Sequence, residues 1–80
     1  MSAEEYATPM ILRELARIRK AAPDEAATRR KWREANAHYI EHVTEGRGDK
    51  PNGDAIMTNY IARQAYFLYA QKRGFSLEAS

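Results

Sequence analysis

Residues 46 to 53 read Gly-Arg-Gly-Asp-Lys-Pro-Asn-Gly, and no regular element can run through them. Three glycines give the backbone access to conformations other residues avoid, the proline removes a donor, and Asn-Gly is a strong turn signal. One further break lies upstream at Pro23, because the residue before a proline is pushed out of the helical region. These two interruptions cut the 80 residues into three segments. Each is longer than an ordinary strand, and none alternates apolar and polar residues at the period a strand requires.

The segments carry helical punctuation instead. In the first, Pro9 suits the opening position of a helix with Thr8 as its cap, and the helix runs to about Ala21. Ser2 and Glu5 have capping-box spacing, so residues 1–8 are expected as a flexible or short helical lead. Ile11, Leu15, Ile18 and Ala22 share one side of this helix, with Leu12 beside them. In the second, Asp24 and Glu25 stand where the helix dipole favours acids, and Gly46 provides a stop after Thr44. Its apolar arc is Trp32, Ala35, Tyr39 and Val43, with Ile40 at the edge. The third starts at Asp54 as cap and ends near Arg73, where Gly74 lets Phe75 fold back over the last turn. Ile56, Met57, Tyr60, Ile61, Ala65, Phe67 and Leu68 cover about half its circumference.

The expected fold is all-α and a single domain over residues 1–80. It is a small three-helix bundle in which the second and third helices form a long hairpin through the 46–53 loop. A shorter first helix is expected to cover the groove between them. A chain this size buries only about 60–65% of its unfolded surface, so its own core leaves a thin margin and association would add to it.

Composition narrows the function. With no cysteine there is no disulfide framework, thiolate metal site or cysteine nucleophile. No apolar run approaches the roughly 20 residues that span a bilayer. The start MSAEEYATP has neither the basic nor the apolar part of a signal peptide, and the expected compartment is the cytoplasm.

The stretch His-Tyr-Ile-Glu-His, residues 38 to 42, has the inverted zinc-protease spacing. On a helix His38 and His42 lie one turn apart, and Glu34 or Glu45 is within reach as a third ligand. Such a site also needs a further ligand far downstream and a large cleft, while Lys31 near the same face opposes a bound cation. The expectation is a solvated helix face and no resident metal. Arg-Gly-Asp at 47 to 49 reads as a charged turn. No glycine-rich phosphate loop follows a strand, and no Ser–His–Asp logic is present. The sequence therefore favours a non-enzymatic protein without cofactor or small-molecule substrate.

Two surfaces remain as candidates. Tyr66 and Tyr69 fall outside the apolar arc of the third helix, in one stripe with Ala62 and Arg73. Tyrosine and arginine are enriched at binding hot spots, so this stripe is expected to meet a partner protein or a second copy. The main reading is a regulator, adaptor or inhibitor of that kind. The alternative is nucleic-acid binding. Residues 13 to 33 hold eight Lys/Arg against three acids. Among them Arg13, Arg17 and Lys20, then Arg29, Arg30, Lys31 and Arg33, are candidate phosphate contacts.

Overall fold

The computed structural model describes residues 3–45 and 53–78, with side chains described for 8–43 and 56–78. Among the described residues there are three helices: α1 from Ala3 to Ala21, α2 from Glu25 to Glu45 and α3 from Gly53 to Arg73. Among the described residues there is no strand. The all-α hairpin of α2 and α3 is as the sequence predicts.

The helix ends show why the boundaries fall where they do. Asp24 caps α2: its Oδ1 accepts the Ala27 N–H at 2.8 Å, and its carbonyl accepts the Thr28 N–H at 2.9 Å. Gly74 closes α3 with φ at 73°, a left-handed conformation that glycine adopts without strain. Phe75 N–H then reaches back to the Ala70 carbonyl at 2.8 Å, and the Phe75 ring packs edge-on against Tyr69. That fold-back is the expected one. Gly46 and the Asp54 side chain lie outside the described residues.

The start of α1 differs from expectation. The helix runs continuously from Ala3, so Pro9 sits inside it rather than opening it. Proline's fixed φ is already helical, and the residues before it (Ala3, Glu4, Glu5, Ala7) are strong helix formers. The missing N–H therefore interrupts the ladder without ending the helix. At the other end, Ala22 is not part of the apolar side. It is exposed and takes φ of 50°, while its N–H still donates to the Ile18 carbonyl at 2.8 Å.

Packing departs from the expected bundle in one respect. α3 packs against both other helices, whereas α1 and α2 do not pack on each other. α1 does not cover the hairpin groove; it lies on the far flank of α3. Met10, Arg13 and Glu14 stand beside Thr58, Ile61 and Ala62, and Pro23 meets Tyr69, so α1 runs in the same direction as α3. Tyr39 meets Tyr60 while Trp32 shares a cavity wall with Phe67 and Gln71, so α2 runs opposite. The result is the order α1–α3–α2, with α3 between the other two, and principal extents of 38 × 30 × 18 Å.

The two interfaces of α3 are built differently. Toward α1, Ile11, Leu15 and Ile18 close on Ile61, Ala65 and Tyr69 to form the apolar core, flanked by Met57, Tyr60, Tyr66 and Phe75. Toward α2 the buried residues are small: Thr28 and Ala35 on α2, Ala70 on α3. A tilted Tyr39–Tyr60 pair with ring centroids 5.7 Å apart, and the Arg63 guanidinium 4.7 Å from the Tyr39 ring centre, complete the contact. A helix clasped on two opposite flanks buries two stripes rather than one broad arc. Ile61, Ala65 and Ala70 are therefore buried, while Phe67 and Leu68, expected inside, are exposed. Ile40 and Val43 of α2, which packs on α3 alone, are exposed as well.

Candidate partner-binding surface

Three helices in this order present two sides, and helix geometry assigns residues to them. Each residue turns the helix by about 100°, so positions on one hand of a buried stripe share a side. The first side is crossed by the α1–α2 connection, which passes over Tyr69 at Pro23. The second is crossed by no helix connection among the described residues.

The predicted stripe lies on the crossed side, and one of its members is not at the surface. Tyr69 is only 3% exposed. Its hydroxyl donates to the Pro23 carbonyl at 3.1 Å and accepts from Arg73 Nη1 at 3.2 Å. The reading of Tyr69 as an outlying ring is thus corrected: the connection Ala22–Asp24 folds across it, and its polar end is satisfied internally. Arg73 is exposed but leans over its own helix end, 5.8 Å from the Tyr69 ring centre and 5.3 Å from that of Phe75. Tyr66 is half-buried against the core. Ala62 is half-buried too, in the wall of a cavity of about 260 Å³ with Met10, Arg13, Glu14, Thr58 and Ile61.

The cations do not converge. Arg13, Arg17 and Lys20 belong to the α1 flank, and Arg29, Arg30, Lys31 and Arg33 to the α2 flank, with α3 between. Arg17 forms an ion pair with Glu14, its Nε donating at 2.9 Å. Its guanidinium is held even more firmly protonated than usual, first by that hydrogen bond and charge and then by the nearby Tyr66. Arg29 is engaged within the fold, where its Nε donates to the Ser76 carbonyl at 2.9 Å and its Nη2 lies 3.6 Å from Glu25. Glu25 in turn accepts the Ser76 N–H at 3.0 Å, which pins the C-terminal segment to the start of α2. Arg13, Lys20, Arg30, Lys31 and Arg33 are exposed.

His38 is exposed and His42 half-buried on the α2 flank. Among the described residues no group of three His, Cys, Asp or Glu side chains is placed to hold a metal ion. None of the helices, over the described residues, is long and apolar enough to cross a membrane.

Of the exposed large apolar side chains, Met10 lies on the crossed side, beside Ala62, and the other five on the open side. Leu12, Ile40, Val43, Phe67 and Leu68 are between 37% and 56% exposed. Leu12 flanks the α1 stripe on the hand away from Met10, and Phe67 and Leu68 flank the α3 stripes away from Ala62 and Tyr66. Ile40 and Val43 lie on the Trp32 hand of α2. Trp32 and Phe67 line a second cavity of about 290 Å³ with Ala70, Gln71, Phe75 and Leu77. Sequence reasoning singles out each of these apolar residues but assigns most of them to the core. The signal that redirects them is the run Phe67, Leu68, Tyr69, Ala70, four consecutive apolar positions that no single helix face can bury together.

No protein family model, curated protein or solved structure matches this chain.

Proposed function

We propose that this protein works by binding protein, through the open side of its three helices, rather than by catalysis. One observation carries the reading: Leu12, Ile40, Val43, Phe67 and Leu68 project from the same side. Single exposed apolar residues are ordinary, but five large ones on one side of so small a domain point to an interaction surface. The stripe named by sequence contributes less, since Tyr69 is committed to Pro23 and only Ala62, Tyr66 and Arg73 of that set reach solvent on the crossed side. A role as regulator, adaptor or inhibitor in a reducing cytoplasm fits a small binding module without cysteine.

Site-specific photo-cross-linking in living cells tests this. A photo-reactive residue placed at Phe67 or Val43 is expected to give protein adducts, and one at Lys31, on the α2 flank, few. Equal adduct yield at the three positions counts against the reading. Nuclease-sensitive adducts at Arg13 or Lys31, with none at Phe67, would replace it by nucleic-acid binding through the flank cations.

A further inference from the structure

We infer that the occupant of the open side is a second copy of this chain, packed face to face as a two-fold dimer; this rests on the protein-binding reading above. Three features of the molecule support a self-complementary contact rather than a foreign one.

The first is the missing layer. Stable domains pack two layers of secondary structure around an apolar core, and here α1 and α2 each pack on α3 alone and not on each other. A second layer on the open side would place Leu12, Ile40, Val43, Phe67 and Leu68 inside such a core. The described chain lays the Ala22–Asp24 connection across the other side, while on the open side only the segment Phe75–Glu78 lies against Trp32, Phe67 and Gln71, held by the bonds of Ser76 to Glu25 and Arg29.

Area supplies the second. A side measuring 38 × 30 Å is larger than the roughly 800 Å² each partner contributes to a standard interface.

Shape and charge supply the third. In a two-fold interface the same patch meets itself, so it must carry both projections and recesses. The open side has both: exposed Leu12, Val43 and Leu68, and the recess of about 290 Å³ walled by Trp32, Phe67, Phe75 and Leu77. Its rim mixes signs, with Arg19 and Arg33 beside Glu25 and Glu78, all exposed. A rim of that kind can pair with its own image, whereas a strongly acidic or basic partner would require one dominant sign.

The mass of the purified full chain, measured by light scattering and sedimentation equilibrium across concentration, decides the matter. The expected species has twice the 9.2 kDa of one chain. Phe67→Asp is expected to weaken association roughly a hundredfold while leaving the helical spectrum intact. Val43→Asp, on a different helix, provides the same reading if the first variant loses its fold. Arg13→Asp, on the crossed side, should leave the dimer unchanged. A chain that stays monomeric up to roughly 1 mM overturns the dimer. Cross-linked adducts from position 67 then separate the two ideas. Adducts with a different protein retain protein binding and remove self-association, whereas no adduct at all removes both.

Discussion

The two interfaces of α3 divide the work of the molecule between them. Toward α1 the contact is made by long aliphatic side chains meeting an aromatic ring, so apolar area is buried generously and the rim is polar. Toward α2 it is made by Thr28, Ala35 and Ala70, which let the backbones approach closely but remove little apolar surface from water. The larger apolar residues on that flank, Ile40, Val43 and Phe67, are displaced to the edge of the contact and stay exposed. Small residues at one interface thus have a consequence at the surface. The chain's stability should depend mostly on the α1 flank.

The largest expected effect tests the first half of that contrast. Ile18 is among the most deeply buried side chains and sits in the α1–α3 core. Ile18→Ala removes three carbons from a site that cannot collapse fully and should cost about 2–5 kcal/mol. In a domain this small that consumes much of the total stability. Urea unfolding followed by circular dichroism measures it, and a loss below about 1 kcal/mol would mean that the α1 flank is not the main source of stability.

Tyr69→Phe comes next. The ring remains in the core, but the Pro23 carbonyl loses its donor and Arg73 its acceptor. A loss of about 0.5–1.5 kcal/mol is expected, with the lower part of the range if water replaces the hydroxyl. The same experiment asks whether the α1–α2 connection is held down by this bond, because amide exchange around Ala22 to Asp24 should quicken in the variant.

On the α2 flank a substitution should have the opposite sign. Thr28 is fully buried and its Oγ1 has no hydrogen-bond partner. A buried hydroxyl without a partner is a cost, and Val fills nearly the same volume with the same branching. Thr28→Val is expected to stabilise the chain by about 1 kcal/mol, raising the melting temperature by roughly 4–8 °C. A decrease on substitution would show that the hydroxyl is satisfied by water and that the α2 interface is better made than its geometry suggests.

Much of this is legible in the sequence, and what is not has a common cause. Local signals are carried by neighbouring residues, so Asp24 as cap, Gly74 as stop, the return of Phe75 and the hairpin of α2 and α3 all follow from short stretches. The helix order α1–α3–α2 is a tertiary fact. Periodicity says that α3 has apolar residues on many sides, but not that its neighbours stand on opposite flanks. Assuming one broad buried arc places Phe67 and Leu68 inside and Tyr69 outside, the reverse of the structure. The stripe of Tyr66, Tyr69, Ala62 and Arg73 is real as a stripe, yet the three-residue connection that seals part of it cannot be read from helical spacing. The basic residues are likewise legible as charges, and their separation onto two flanks is not.

That connection also holds the smallest effect expected here. Ala22 ends α1 in the left-handed region at φ 50°, where a β-carbon crowds the following carbonyl at about 1–2 kcal/mol. Glycine at this position removes the crowding but loses more backbone freedom on folding, by about 0.5–1 kcal/mol relative to alanine. Ala22 is exposed, so no packing changes. Ala22→Gly should therefore change stability by only about 0–1.5 kcal/mol in the stabilising direction, centred below 1, a shift of a few degrees in thermal unfolding. Its value lies in pairing it with Tyr69→Phe, since both act on the strap over the crossed side. If the connection is one rigid unit, the two effects will fail to add, as substitutions that share a structural element do. Simple additivity would mean that the cap of α1 and the tyrosine bond act independently, leaving the Pro23 contact alone to hold the crossed side closed.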